Sequence, residues 1–365
     1  MTHAVAERTG VRHLGVLAQC PRPAGGRAEF EARAYAVRTL AGLGFLVREE
    51  HFTYSTFPGR FATPIAGGIL SVAIAASCGF GLAGRGMSTI ACTLAGGVLL
   101  TAIFARWMLG GVLTIPWSRA NGVNLVATRG PSEPRVWLVA HLDSKSQPVP
   151  SLARVAGVLL LVLALAFASA STVLTLFGVD TRTLWWAALV TCVIGALPVV
   201  ASVVGARSDG AVDNASGVAA VLTAAVLLNA DAACGVLLST AEELGLAGAR
   251  DWASRRAVGT ALNCDGVDDG GNLVILYNKR LPLEVVDAVR TAASRPAKVR
   301  RMPLGLLTDS TALAHAGWRA VTVSHGSLAT LRRVHTSNDS VAMLRGTAID
   351  DVADILARAA EALAS

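Results

Sequence analysis

The sequence predicts an α/β fold, a mostly parallel mixed sheet flanked by helices, interrupted by two apolar helical hairpins. Three observations predict it. Strand-like and helix-like stretches alternate after residue 207, which argues for a sheet covered by helices. The surplus of apolar residues gathers in four blocks that carry no charge. Those blocks come in two pairs, each joined by a short polar turn. Of the 365 residues 53% are hydrophobic and 16% are charged, whereas a soluble domain carries about 25% charged residues.

The elements follow in order. Residues 26–43 read as an amphipathic helix and Phe45–Tyr54 as a strand. No charge occurs between Arg60 and Arg85, between Arg85 and Arg106, between Arg154 and Asp180, or between Arg182 and Arg207. Each block has the roughly 20 residues that a helix needs to cross about 30 Å of hydrocarbon. Core helices of this length normally keep a polar face. Arg85-Gly86-Met87 and Asp180-Thr181-Arg182 are the joints of two membrane hairpins, with tryptophans at the first exit, Trp107 to Trp117. Asn124–Thr128 and Val136–Ala140 read as strands joined by the turn 129–134. Further on come a helix over Asn214–Leu228, a strand over Gly235–Ser239 and a helix over Leu246–Arg256. Short strands at Gly259–Cys264 and Leu273–Tyr277, a helix over Pro282–Ser294, a strand at Ala320–Ser324 and a closing helix over Thr347–Leu363 complete the chain.

This organisation divides the chain into one domain cut twice. Residues 1–60, 116–154 and 207–365 form the α/β domain, and 61–115 and 155–206 form the hairpins. A hairpin returns the chain to the side it left, so the α/β parts share one face of the membrane. The net charge is +7, but no basic run interleaved with aromatics appears, which argues against nucleic acid. The charge instead sets orientation. Arg48, Arg60, Arg106, Arg119, Lys145, Arg154 and Arg207 flank the spans on the domain side, and only Arg85 and Arg182 stand at the tips. The positive-inside rule then predicts an integral protein of the plasma membrane with four spans and a cytoplasmic domain. The first eight residues lack the apolar core of a signal peptide, and the six cysteines show no framework spacing, as a reducing compartment allows.

In open α/β sheets ligands bind beyond the carboxyl ends of strands. Val136–Ala140 is followed by His141-Leu142-Asp143, Gly235–Ser239 by Thr240-Ala241-Glu242-Glu243, and Gly259–Cys264 by Asp265. Past a loop, Ala320–Ser324 leads to His335-Thr-Ser-Asn-Asp339, and Asp213 in Gly210–Gly217 opens a helix. Singly each has a bland explanation: a helix cap, a turn or a solvated helix start. Five in one order, each beyond a strand, point to a two-metal hydrolytic site. Histidine and carboxylate ligands suit zinc, one carboxylate must bridge the ions, and a free one must serve as base. Adjacent glutamates meet the last need, and Asp143 is placed to orient His141 through its second nitrogen.

These segments resemble the di-zinc exopeptidases, the family that contains bacterial leucyl aminopeptidase and aminopeptidase Y. The resemblance implies two Zn²⁺ ions and a zinc aminopeptidase-like sandwich. It implies His141 and Asp265 on one zinc, Glu243 and His335 on the other, Asp213 as the bridge, Glu242 as general base and Asp143 as the orienting residue. Asp309 lies where the family often carries another polar site residue. The departure from the family is the 71 residues between His141 and Asp213, which hold two spans where relatives have a short loop. The expected function is therefore a membrane-anchored metallo-exopeptidase, an aminopeptidase, with a peptide or protein as substrate and the lipid bilayer as its surroundings. The competing expectations are glutaminyl cyclisation, carboxypeptidase action and a non-catalytic membrane protein with a peptidase-like domain. A transporter ranks last, because the spans carry no ionisable group. His315 and His325 read as structural, and Asp268-Asp269 as a turn.

Overall fold

Alternation of buried residues along the strands sets the layers. In the strand Val136–His141 every residue is buried, with Leu138 and Ala140 on one face and Trp137 and Val139 on the other. A strand covered on both faces reads as a continuous apolar run, which is why this one is VWLVA. The computed structural model describes residues 9–130, 133–303 and 305–365. The first eight residues, and Pro131 and Ser132 of the expected turn, lie outside the described residues.

The chain divides into two compact units. The first comprises residues 1–54, 118–146 and 206–365. In chain order it contains α1 (Thr9–Leu17), α2 (Arg27–Gly42), β1 (Leu46–Ser55), β2 (Arg119–Thr128), β3 (Val136–His141) and a π-type turn at Ala211–Ser216. Then follow α7 (Gly217–Leu227), β4 (Cys234–Ser239), α8 (Ala247–Ser254), β5 (Thr260–Val267), β6 (Asn272–Tyr277) and α9 (Leu283–Ala292). The unit ends with β7 (Lys298–Arg301), α10 (Asp309–His315), β8 (Arg319–Gly326), α11 (Leu328–Arg333) and α12 (Thr347–Ala364).

The eight strands form one mixed sheet in the order β1-β2-β4-β3-β5-β8-β6-β7. Its centre, β4-β3-β5-β8, is parallel, while β2 and β6 run antiparallel to their neighbours β4 and β8. The two strands expected around residue 130 are therefore consecutive but unpaired, since β4 lies between them. One face packs Leu138, Leu238, Leu262 and Val323 against Leu14, Leu40, Val221 and Leu356 of the helices. The other stacks Trp137 on Trp252 at 4.8 Å and Trp252 on Trp318 at 4.9 Å. Aromatic pairs at such distances contribute about 0.5–1.5 kcal/mol beyond area burial. The sequence pattern predicts no element for α1, β7, α10 or α11. These are 4–9 residues long, too short for a period to register.

The second unit, residues 55–117 and 147–205, holds α3 (Phe57–Leu82), α4 (Met87–Gly110), α5 (Ser151–Leu176) and α6 (Arg182–Val200). All four are long and apolar enough to cross a membrane. Their contacts rely on small residues. A Cβ on Gly157 of α5 would lie 2.7 Å from the carbonyl oxygen of Gly195 on α6, so these two backbones meet because neither residue has a side chain. Between them lies a cluster of Ile74, Leu161, Ala164, Trp185 and Ala188. At one end, Phe57, Trp107 and Trp117 stack edge to face. The second joint is closed by Asp180, whose carboxylate accepts the Arg182 amide at 3.0 Å.

Candidate active site

The parallel register places the site. His141, the last residue of β3, pairs with Ser239, the last of β4. The residues that follow each strand therefore emerge side by side. Beyond β4 the chain turns through Ala241, whose φ of 55° is left-handed and unfavourable for a side chain. Asp143 stabilises that turn. Its carboxylate oxygens accept the amides of Glu242 and Glu243, each at 3.2 Å. The Nδ1 of His141 lies 3.0 Å from the main-chain oxygen of Asp143 and 3.7 Å from its carboxylate. Asp143 thus reaches the histidine mainly through its backbone, and gives its carboxylate to the two glutamates.

Asp265 stands in β5 where the pairing register with β8 breaks between Cys264 and Val267. Such a bulge re-aims a side chain out of the ladder. The turn carrying Asp213 is stitched to it. Asn214 donates to the Cys264 carbonyl at 2.9 Å and accepts the Gly266 amide at 3.2 Å, and Ser216 accepts the Val267 amide at 2.9 Å. Asp339, four residues past His335, accepts the amides of Val212 and Asp213 at 2.7 and 3.2 Å. Burial and the charge of Asp213 push the Asp339 carboxyl up to about 6, against those two hydrogen bonds.

The side chains collect in two groups. His141, Glu242 and Asp265 offer ligand atoms within 4.8 Å of one another, and so do Asp213, Glu243 and His335. Asp213 faces both. One of its oxygens is 3.1 Å from His141 Nε2 and the other 2.8 Å from His335 Nε2. Glu243 Oε1 is 3.3 Å from His335 Nε2, and Asp265 is 3.8 Å from His141 Nε2. His141 Nε2 and Glu243 Oε1 are buried yet make no well-formed hydrogen bond. The 71-residue excursion has not separated His141 from Asp213.

Electrostatics divides the groups. Burial opposes a charged imidazole at His141, but Glu242, Asp143, Asp213 and Asp265 outweigh it and hold the ring well above its ordinary pKa. His335 is likewise raised, against burial and Lys145, by Glu243 and Asp213. Burial raises the Glu242 carboxyl well above its ordinary value; Glu243, Asp265 and Asp309 add to this and His141 opposes it. Its neighbour Glu243 goes the other way. Burial pushes it up, but the Lys145 ammonium in contact with Oε2 carries it down to about 2. Asp309 is fully buried, bonded to Ser239, and pushed up to about 7 chiefly by burial.

Lys145, two residues beyond Asp143, reads in the sequence only as a charge flanking the spans, yet it meets Glu243. Asp339 stands in the sequence as the end of the His335 motif, and its role is visible only in its bonds to Val212 and Asp213. Asp268 ties down α11 through side chains, and Asp269 caps α12. Asp268 accepts from Thr330 and Arg333, and Asp269 accepts the amides of Arg345, Gly346 and Ala348 at the start of α12.

Residues 124–360 match the description Peptidase family M28, about two thirds of the sequence. The chain belongs to peptidase family M28. Among solved structures this M28 chain is similar to the aminopeptidase of Aneurinibacillus sp. strain AM-1, at 15% identity and a TM-score of 0.56, over 98% of this chain and 95% of that one. It is similar to the zinc aminopeptidase BSAP of Bacillus subtilis, at 14% identity and a TM-score of 0.57, over 97% and 94% of the two chains. It is also similar to the glutaminyl cyclase of Fimbriiglobus ruber, at 14% identity and a TM-score of 0.52, over 98% and 95%. Among curated proteins none matches the sequence. At these identities the structural likeness speaks for the fold, an α/β sandwich shared by peptidases and cyclases.

Proposed function

We propose that this M28 peptidase is a membrane-anchored, zinc-dependent aminopeptidase. The observation that carries the reading is Asp213, whose two carboxylate oxygens face two different histidines, each with its own carboxylate partner. That is the arrangement a carboxylate bridging two cations requires. The donor set fits. The buried nitrogen of His141 and buried oxygen of Glu243 lack hydrogen bonds, and histidines held charged among carboxylates mark a site whose negative field suits cations. His141, Asp265 and Asp213 would hold one zinc, and Glu243, His335 and Asp213 the other. Bound there, zinc supplies Lewis acidity toward the scissile carbonyl and makes water more acidic.

The chain's own residues do the rest. Glu242, the carboxylate left over in the first group, takes the proton of the attacking water and returns it to the leaving amine. Its burial keeps it proton-ready, as general bases working near neutrality are. Asp143 fixes Glu242 and Glu243 through their amides, so base and ligand keep one geometry. Asp339 fixes the turn bearing Asp213. The peptidase domain is discontinuous, residues 1–54, 118–146 and 206–365. The helices α3 to α6 anchor it, and the charge balance at their ends favours the cytoplasmic side. The substrate is a peptide or protein with a free amino terminus.

The test is zinc content and turnover of the purified full-length protein in detergent. Two zincs per chain, hydrolysis of aminoacyl amides and no action on amino-blocked peptides support the reading. Cyclisation of an amino-terminal glutaminyl peptide without hydrolysis would replace it with the cyclase chemistry, and a chain that takes up no zinc would end it.

A further inference from the structure

Arg22 lies between α1 and α2, and its side chain is fully buried. No carboxylate is within ion-pair distance of it among the described residues. Its donors go instead to four main-chain carbonyls. Nε bonds Leu142 at 3.0 Å, Nη1 bonds Leu17 and Asp209 at 2.6 Å each, and Nη2 bonds Gly210 at 3.0 Å. The Arg22 amide donates to Ser144 Oγ at 2.9 Å, and the Arg22 carbonyl accepts the Ser144 amide at 2.8 Å. Ser144 Oγ in turn donates to the Ser208 carbonyl at 3.1 Å, and the Arg207 amide donates to Ser146 Oγ at 2.8 Å.

The two segments so joined are the exit and the return of the second apolar hairpin. Leu142 sits between His141 and Asp143, and Gly210 opens the turn that carries Asp213. Gly210 has a φ of 58°, and a Cβ there would lie 2.4 Å from the Asp213 carbonyl and 2.5 Å from Ser144, so the approach is as close as backbone permits. A buried guanidinium without a counter-ion is costly, and burial lowers its pKa, partly offset by the more distant charges of Asp339, Asp143 and Asp213. A rigid fork of five donors can serve all four carbonyls at once, whereas a lysine ammonium has only three donors on one nitrogen.

We propose that Arg22 is a positioning residue. It clasps the two chain crossings that carry His141 and Asp213, and holds them at the spacing that lets Asp213 face both histidines although 71 residues lie between. The proposal rests on the metallopeptidase reading above.

The test compares Arg22→Ala, Arg22→Lys and Leu14→Ala in the full-length protein in detergent. Leu14 is an equally buried residue of α1 whose apolar side chain donates no hydrogen bond to these carbonyls, so it controls for loss of stability alone. Amide exchange is followed in residues 139–147 and 206–216, and zinc affinity by competition with a chelator. Arg22→Ala is expected to speed exchange in both segments together and to weaken zinc binding about 10–100-fold, the range for residues that orient ligands from behind. Millimolar guanidinium should restore part of that affinity in Arg22→Ala and none in Leu14→Ala. Arg22→Lys should also weaken zinc binding, and it is the variant read if Arg22→Ala does not fold. Unchanged zinc affinity in both Arg22 variants, or an equal loss in Leu14→Ala, overturns the proposal. A wild-type protein that takes up no zinc overturns the metallopeptidase reading itself, and exchange in the two segments then still reports whether the clasp exists.

Discussion

Glu242 and Glu243 are neighbours in sequence, both nearly inaccessible to solvent, and their carboxyls are driven in opposite directions. Among the described residues no lysine or arginine forms an ion pair with Glu242, and burial there raises the affinity of its carboxyl for a proton. The group containing Glu243 has Lys145 pressed against one oxygen, which keeps the carboxylate ionised and leaves the other oxygen turned to His335. One backbone turn, held by Asp143, thus presents a carboxyl that holds its proton and one that gives it up a residue apart. The difference teaches that role at this site is assigned by the partner a carboxylate meets, since residue type and burial are the same.

Five experiments break or sharpen that contrast. The largest effect is expected from Glu243→Gln, which removes a proposed ligand: zinc content falls and activity goes with it, measured by metal analysis after gel filtration. Glu242→Gln should keep its zinc yet lose about 10²–10⁴ in kcat; equal zinc loss in both variants would erase the distinction. Asp143→Ala releases both glutamate amides and should weaken zinc binding about 10–100-fold, read by chelator competition. Lys145→Met acts on one side only. Without the ammonium, burial raises the Glu243 carboxyl, so zinc uptake at acid pH should fail at a higher pH than in wild type. The sign in the folded protein agrees. The depressed Glu243 pKa stabilises the fold above its ordinary value of 4.5, and that contribution disappears as pH falls toward about 2. Acid unfolding of Lys145→Met should therefore lack this component. The smallest effect is expected from His315→Ala. That ring bonds the Thr311 carbonyl within α10, and its loss should leave zinc content and kcat/KM unchanged.

Much of this architecture was legible from residue order. The four charge-free blocks became four helices of 19–26 residues, because a run that long and that apolar has few other stable forms. The central strands and the long amphipathic α2 and α12 were legible for a similar reason, since period and length agree. The chain's crossing of the sheet was not. Neither Asn124–Thr128 nor Val136–Ala140 says that β4 will lie between them, because sheet order depends on which apolar faces meet after the helices pack. The residue types at strand ends announced the candidate site, but not Lys145, whose meaning depends on Glu243, 98 residues further on.

By itself the sequence determined the long helices, the central strands and the apolar runs, and which histidines and carboxylates follow the strands, since these depend on local period and spacing. Only the tertiary structure decided that Asp213 stands between two histidines, that two adjacent glutamates are driven apart, and that Arg22 joins the chain on either side of an apolar hairpin. Those outcomes depend on distances between residues remote in sequence and on the loss of water around them, and neither exists until the sheet and its helices have closed.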